Sequence, residues 1–489
     1  MTAIGSRYRA LLRGPRAPRI TCRFKRIVTG KLLSDADFDF QRGRKLYITS
    51  RDTKKVSALA GMIGAGRKMS VNAGDTSWVL MATGLVMLMT PALGFFYGGL
   101  VRKKNLSNTI MQCFAIFAVV GLVWTLWGYS LAFGTSMGGY IGNLDKALLN
   151  NVGVTTVLPV QYNAPGITEL LYYAFELMFA AIAPALIVGA FAERIKFRSL
   201  LIFIILWSTF VYSPVAHWVW NPAGWIKTLG AIDFAGGTVV HITAGVTALA
   251  AAIVVGPRIK REKIEGKPSN VPYVILGAAL LWFGWFGFNA GSALSASPLA
   301  VSAFVVTNLS ASAAAVSWMI VDTLVKGKPS ATGIAIGAVC GLVGITPASG
   351  FVTPASAIVI GLVAGVLSNL VSTWRARTRL DDTLDVFACH GVSGIWGSIA
   401  TGLFATAAVN PLPPLGTGAN GLFYGNPNQL LIQIEAVLAV IAFAFTVSFV
   451  LLKIVNRFSR LRVTPEEEEQ GLDLSQSGEE AYSSADTAS

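Results

Sequence analysis

Histidine is the residue whose type and spacing point most directly to chemistry, because the 489-residue chain contains only three. Two of them, His241 and His390, each follow an aspartate by eight positions, Asp233 and Asp382 respectively. A neutral imidazole carries one donor and one acceptor nitrogen, so two such rings can share a proton in a hydrogen-bonded pair. Such a pair can accept a hydrogen bond from a small polar solute and relay a proton. A purely structural interhelical hydrogen bond is the alternative interpretation.

The two aspartates have a simpler interpretation. Aspartate is a favoured N-cap residue and stabilises the positive end of the helix dipole. We therefore favour capping for Asp233 and Asp382 over a cation-attracting or pore-shaping role. The third histidine, His217, has no counterpart elsewhere in the sequence and is interpreted as structural.

Other residues offer no enzyme site. The four cysteines show no CxxC or paired spacing, which argues against a disulfide framework or a structural zinc site. Those in apolar runs are expected to be small buried hydrophobic residues. No HExxH spacing, nucleophile arrangement or cofactor loop is present in the sequence. We predict that the chain is not an enzyme and binds neither a metal nor a cofactor.

The elements that must position the histidines are membrane-spanning helices. Hydrophobic residues make up 53% of the chain and charged residues only 13%, about half the charged share of a soluble domain. A helix needs about 20 apolar residues to cross a bilayer, and such runs recur from residue 71 onward. The sequence predicts an all-α polytopic membrane protein with eleven spans, near 75–99, 107–133, 168–192, 198–218, 233–256, 271–290, 299–324, 331–346, 353–374, 383–406 and 429–456.

The repeated Asp–His spacing indicates an internal repeat. The two elements open the fifth and tenth predicted spans, five helices apart. Because five is odd, spans 1–5 and 6–10 would have opposite orientations, as in the inverted repeats of many transporters. Eight helical residues rise about 12 Å, which would place each histidine near the middle of the bilayer.

The basic residues predict the orientation of these spans. The net charge is +14, but residues 1–70 hold 17 basic and 4 acidic residues, a balance of +13, and the remaining chain holds 22 and 21, a balance of +1. A nucleic-acid partner is therefore not indicated. Of those 22 basic residues, 20 fall in alternate connections between spans. By the positive-inside rule, the C-terminus is cytoplasmic and the first span starts outside.

Three regions are expected along the chain: a basic N-terminal extension at 1–70, a membrane domain at 71–457, and a cytoplasmic tail at 458–489. The extension conflicts with an outside location and has no signal-peptide core. One hypothesis is that the mature protein lacks it, with translation starting near Met62 or Met69; a disordered basic arm is the alternative. The run Glu466–Glu469 in the tail is expected to be solvated.

Several motifs together carry a family resemblance. From about residue 75 onward the chain resembles the bacterial Amt type of ammonium transporter, over roughly 85% of its length. Besides the two Asp–His elements, the matching motifs are GDT at 74–76, GFFYGG at 94–99, GAFAER at 189–194, GWFGFNAGS at 284–292, GLD at 471–473 and GEEAY at 478–482. The resemblance implies a homotrimer with one pore in each subunit.

The resemblance also implies roles for individual residues. Trp220, Phe175 and Ser292 resemble an outer site that binds ammonium, with Trp225 as an alternative to Trp220. Phe179 and Phe288 resemble a phenyl gate beneath that site. His241 and His390 resemble a twin-histidine pore, and the supporting acidic residues are Asp233 and Asp382.

Glu176 departs from the pattern that the resemblance implies, because a neutral polar residue is expected there. Its carboxylate could enrich cations at the mouth of the pore. Alternatively, it is a neutralised, hydrogen-bonded structural group. The sequence leaves both interpretations open.

The function implied is transport across the plasma membrane into the cytoplasm. Ammonium would bind at the outer vestibule and cross as ammonia, with or without a separate proton. The tail would contact a PII-type nitrogen regulatory protein. Two alternatives are an ammonium sensor with little net transport and a Rhesus-type gas channel.

Overall fold

The computed structural model divides the chain into two compact units, Met1–Ser70 and Val71–Ser489. It describes residues 71–162, 166–261, 268–411 and 420–482, together with short strands in the first unit. Those strands form two hairpins: Ile27–Val28 pairs with Lys31–Leu32, and Asp37–Gln41 pairs with Lys45–Thr49. The predictions made for the remainder of residues 1–70 lie outside the described residues and stay predictions.

The second unit is built of helices, and each of the eleven predicted spans corresponds to one. In chain order they are α1 Ala73–Leu100, α2 Lys103–Phe133, α3 Glu169–Phe191, α4 at 197–220, α5 Gly237–Val255, α6 Val271–Gly291, α7 Pro298–Lys326, α8 Ala331–Ile345, α9 Pro354–Ala376, α10 at 387–404 and α11 Pro427–Phe458. A short helix, Trp225–Leu229, follows α4, and a two-stranded hairpin of Ser136–Met137 and Ile141–Gly142 follows α2.

Nine helices of the described part are long and apolar enough to cross a membrane. The two shorter members are α8, with 15 residues, and α10. Both pack inside the helical unit: the α8 residues from Gly337 to Ile345 are almost all buried. A helix surrounded by other helices can be shorter than one that faces lipid along its whole length.

The segments that carry the two histidines are not regular α-helix, and the expected straight helix from each aspartate is wrong in this detail. His241 lies in the π-helical turn Gly237–Ile242 that opens α5. His390 lies in the corresponding turn Phe387–Val392 that opens α10. Such turns are rare and concentrate at functional sites. The same irregularity therefore recurs at the matching place in both predicted halves.

Glycine allows α5 and α10 to touch. A Cβ atom added to Gly245 would overlap the backbone nitrogen of Gly391, and one added to Gly394 would lie 3.1 Å from the Cβ of His241. The two helices therefore meet backbone to backbone beside the histidines, as small residues permit in membrane proteins. This contact fixes the distance between the two imidazole rings.

Four loops that follow α1, α3, α5 and α9 converge at one face. They carry four paired charges, which we call the basic cluster after its two arginines: Arg102, Glu193, Arg258 and Asp381. Arg102 Nε lies 2.8 Å from Glu193, and Arg258 lies 3.3 Å from Glu193 and 3.0 Å from Asp381. Burial disfavours the ionised Asp381, but Arg194 and Arg258 outweigh burial and hold the pKa of this carboxyl at about 2.

The tail docks on the loops of that face. Glu468, in the short helix α12 (Pro465–Gln470), accepts hydrogen bonds from the Ile259 backbone nitrogen at 2.7 Å and from Arg462 at 2.8 Å. Asp473 accepts one from the Asn108 backbone nitrogen at 2.7 Å. Glu468 and Asp473 are both buried. The expectation of a solvated acidic run is therefore wrong for Glu468, since an arginine and a backbone amide satisfy its carboxylate.

Candidate pore and vestibule

A cavity of about 170 Å³ opens at the end of the helical unit opposite the basic cluster. We call it the vestibule. α3 contributes one face of it, because residues spaced three and four apart lie on the same side of a helix. The lining residues that matter below are Tyr172, Phe175, Glu176, Phe179, Trp220, Lys227, Asp233 and Ser292.

The predicted recruitment residues all reach the vestibule. Trp220 is partly buried, and its ring lies 5.9 Å from that of Phe179. Its indole nitrogen donates to the Asp233 carbonyl at 3.2 Å. Trp225 instead packs against Trp218, with ring centroids 5.6 Å apart and the rings tilted by 58°, and does not line the cavity. Of the two tryptophans, only Trp220 is therefore placed to meet a solute there.

Ser292 presents its oxygen as an acceptor. Its hydroxyl donates to the Phe288 carbonyl at 2.8 Å, so the proton is used within α6. The lone pairs of the oxygen are left for a donor in the vestibule.

Two phenyl rings close the floor of the vestibule. Phe179 and Phe288 pack with ring centroids 4.3 Å apart, and Phe175 lies 4.9 Å from Phe179. Phe179 lines the vestibule, whereas Phe288 lines a second cavity below it. The pair therefore separates the two cavities, as a gate would.

The second cavity, which we call the lumen, is narrow and apolar. Its volume of about 10 Å³ is close to the space that one water molecule needs. The two histidines are its polar residues, and the others are aliphatic and aromatic, among them Leu93, Leu186, Leu281 and Val339. A charged solute would have few compensating groups here, so the lumen favours a neutral one.

The two imidazoles meet in the lumen. Their Nδ1 atoms lie 3.3 Å apart, and the ring planes differ by 18°. The Nε2 atom of His241 is buried without a partner among the described residues. One Nδ1 must donate and the other accept, so one ring offers an acceptor Nε2 and the other a donor Nε2–H. A small solute that both donates and accepts can use both.

The two aspartates sit where caps are expected. Asp233 accepts backbone hydrogen bonds from Gly236 at 2.8 Å, Gly237 at 2.7 Å and Thr238 at 2.7 Å. Asp382 accepts one from Phe387 at 2.7 Å. Each aspartate thus satisfies backbone amides at the start of its turn, although the residues directly before the two turns are Gly236 and Val386. Asp233 additionally holds the Trp220 indole through its carbonyl.

A further cavity lies at the face of the basic cluster. It has a volume of about 410 Å³ and is lined by Arg102, Glu193, Arg258, Arg375 and Asp385 among others. The described part of the helical unit thus has one cavity at each of two opposite faces and the lumen within it.

The remaining histidine and the cysteines stand apart from this path. His217 bonds through Nδ1 to the Ala132 carbonyl and through Nε2 to Ser136, both at 2.8 Å, which fits its structural interpretation. The Sγ atoms of Cys340 and Cys389 lie 3.3 Å apart. Cys113, Cys340 and Cys389 are free and buried, and Cys22 lies outside the described residues.

Sequence reasoning did not single out Trp285, although it contacts the histidine pair. Its ring stacks on His241 with centroids 5.4 Å apart, and its nitrogen donates to Thr346 at 2.9 Å. It precedes Phe288 by three positions on α6, which places both on one helix face. This spacing from Phe288 was the sequence signal that could have identified Trp285.

Comparison with known proteins identifies the family. A model of the Ammonium Transporter Family matches residues 77–482. "Ammonium transporter Amt1" of Archaeoglobus fulgidus is 46% identical over 409 residues, which are 84% of this chain and 99% of that protein. The "Ammonium transporter" of Bacillus subtilis is 47% identical over 84% of this chain and 98% of its own.

Solved structures give the same result. The crystal structure of Saccharomyces cerevisiae Mep2 matches with a TM-score of 0.78 and 36% identity, over 86% of this chain and 93% of that one. A structure described as "Sensor Amt Protein" matches with a TM-score of 0.74 and 32% identity, over 82% of this chain and 98% of that one.

Proposed function

The chain belongs to the ammonium transporter family, and from that premise we propose that it recruits ammonium at the vestibule and conducts ammonia through the lumen. It is a multi-pass membrane protein of a family of transporters rather than enzymes. The observation that supports the proposal most strongly is the Phe179–Phe288 pair, which separates a polar vestibule from an apolar lumen that contains paired histidines.

Recruitment rests on aromatic faces and one acceptor. A cation gains about 0.5–2 kcal/mol from each aromatic face that it meets, and Phe175 and Trp220 both line the vestibule. Ser292 accepts one N–H of ammonium. These contacts offset part of the hydration that the ion loses at the gate.

Passage through the gate requires loss of the charge. A bare ion in a dry lumen of about 10 Å³ has no counter-charge and few polar partners, which is costly. Ammonia has no charge and can both donate and accept, which suits the two Nε2 atoms of His241 and His390. The proton either returns to the vestibule or crosses separately, and the two routes differ in the charge moved.

Direction and assembly belong to the same proposal. Because the basic loops share one face, we place that face in the cytoplasm and the vestibule outside the plasma membrane. Three chains would form the transporter, each with its own pore. The docked tail lies on the cytoplasmic side, where a PII-type regulatory protein would contact it. Light scattering of the detergent-purified protein should give the mass of three chains.

Ammonium pulses on proteoliposomes test the transport step. The parent protein should give either an inward current or internal alkalinisation without current, and potassium pulses should give neither. A current means that the proton also crosses. Empty liposomes are the control for passive entry of ammonia.

The likeness to a structure described as a sensor favours one alternative function, an ammonium sensor with little net transport. Parent vesicles that show neither current nor alkalinisation, although the protein binds ammonium, would favour the sensor and overturn transport.

A further inference from the structure

Glu176 lies on the face of α3 that lines the vestibule, one turn before the gate residue Phe179 and beside Phe175. The residue is only 6% exposed. Tyr172, one turn earlier on the same face, also lines the vestibule. The Oε2 atom of Glu176 is buried and has no hydrogen-bond partner among the described residues. This carboxylate therefore has an oxygen that no described group satisfies.

The other buried carboxylate of the same helix, that of Glu169, already has partners. Glu169 is only 4% exposed, and its Oε1 atom contacts both Lys146 Nζ and the Tyr129 hydroxyl. Glu193 and Asp381 of the basic cluster are likewise paired with arginines. No described lysine or arginine forms an ion pair with Glu176. Burial of an unpaired ionised carboxylate is unfavourable, and a cation beside Oε2 would relieve that cost.

The charged groups near Glu176 neither neutralise its carboxylate nor offer a cation another carboxylate oxygen without a partner. Asp233 also lines the vestibule, but its oxygens are occupied by three backbone amides and by Thr238. Lys227 lines the cavity without contacting Glu176 and repels an incoming cation. The other titratable groups that interact with Glu176 are tyrosines: Tyr129, Tyr162, Tyr172 and Tyr212. Among the described residues that line the vestibule, Glu176 is thus the carboxylate with an oxygen that lacks a hydrogen-bond partner.

We propose that the Glu176 carboxylate is a direct ligand of the ammonium ion in the vestibule. Oε2 accepts one N–H, and the ion supplies the missing counter-charge at a point next to the gate. The hydroxyl oxygen of Ser292 and the ring of Phe175 complete the surroundings of the ion. The proposal rests on the proposed function for the identity of the ion, and of the two alternatives for Glu176 it takes cation binding.

Glu176→Gln tests this assignment, because the amide keeps the size of the side chain and a carbonyl acceptor while it removes the charge. A hydrogen bond to a charged partner contributes enough free energy that the half-saturating ammonium concentration should rise about tenfold or more. The maximal transport rate should change less. The unfolding temperature of the variant should not fall, because a neutral amide is easier to bury than an unpaired carboxylate.

The pH dependence of the half-saturating ammonium concentration gives a second test, because a purely structural Glu176 would not change it. Protonation of Glu176 removes the charge that binds the ion, so in the parent the half-saturating concentration should rise as the pH falls. The rise should be absent from Glu176→Gln.

Glu169→Gln is the matched control: the same change on the same helix, outside the vestibule. It should lower stability, because Lys146 loses its partner, and leave the ammonium affinity within about twofold of the parent.

Calorimetric titration of each purified variant with ammonium chloride, against sodium chloride, accompanies the transport assay. Equal affinity in the parent and Glu176→Gln, with the same pH dependence, would overturn the proposal and assign Glu176 as a neutral structural group. Tighter binding in the parent would support it even if no ammonium crosses the membrane, an outcome that would overturn only the transport function.

Discussion

The two Asp–His segments, which we call the first (232–242) and the second (381–391), are alike where they meet and unlike where they begin. Both reach their histidine through a π-helical turn, and the histidines touch in the lumen. The first segment starts at the vestibule and is held there by the side-chain amide of Gln433. That amide accepts a hydrogen bond from the Ile232 nitrogen at 2.7 Å and donates one to the Ile232 carbonyl at 2.8 Å. The second starts in the basic cluster, held by the charge of Asp381.

This difference separates what the pore needs from what each membrane face needs. The shared turn brings the two histidines together in the lumen. The anchors differ in charge, since an amide holds the first segment and a carboxylate paired with arginine holds the second. Symmetry is thus kept at the centre and given up at the ends.

The largest expected effect is at the second anchor. Asp381→Asn removes one of the two counter-charges of the buried Arg258 and leaves Glu193 as the other; it should cost about 3 kcal/mol of stability or slightly more. Thermal denaturation in detergent measures it. Since the pKa of Asp381 is held at about 2, below the ordinary value of about 3.9, this stabilisation is complete above that ordinary value. It is lost as the pH falls toward 2, and Asp381→Asn should lack that loss. Equal stability of variant and parent at neutral pH would contradict the charged anchor.

The first anchor should give a smaller effect of a different kind. Gln433→Leu leaves the buried nitrogen and carbonyl of Ile232 unpaired, at a cost of about 3 kcal/mol. Because no charge is involved, the loss should not vary between pH 4 and 8, as denaturation at several pH values can show. A loss larger than that of Asp381→Asn would reverse the ranking of the two anchors.

Of Asp233 and Asp382, the aspartate that accepts more backbone hydrogen bonds should contribute more to the free energy of unfolding. Asp233→Ala removes three backbone hydrogen bonds and should cost about 2 kcal/mol. Asp382→Ala should cost less, because one oxygen of Asp382 has no partner among the described residues. Parallel denaturation of both variants makes the comparison, and an equal loss would mean that the caps are equivalent.

The smallest effect is expected at the residue before each histidine. The first segment has Val240 there and the second has Cys389. If the Cys389 thiol acts only as a small buried hydrophobic group, Cys389→Val should change stability by less than about 1 kcal/mol and leave transport unaltered. A large loss of transport would show that the contact with Cys340 matters for conduction.

Much of this organisation was predictable from the sequence because apolar length, charge position and repeated spacing are local properties. The helices match the predicted spans, and the family follows from motifs such as the one that contains Phe288 and Ser292. The π-turns were not predictable, since the choice between α and π geometry at Gly237–Ile242 depends on backbone contact between α5 and α10. The burial of Glu468 was missed for a similar reason: its partners, Ile259 and Arg462, are brought to it only by the docked tail.

The central claim is that the histidine pair forms the conducting part of the pore, and single substitutions measured in proteoliposomes test it most directly. His241→Ala and His390→Ala, each reconstituted at the same density as the parent, receive identical ammonium pulses while current and internal pH are recorded. The account predicts that each substitution changes the response by about tenfold, either by reducing total conduction or by removing the current while alkalinisation persists. Current and alkalinisation that match the parent in both variants would contradict it.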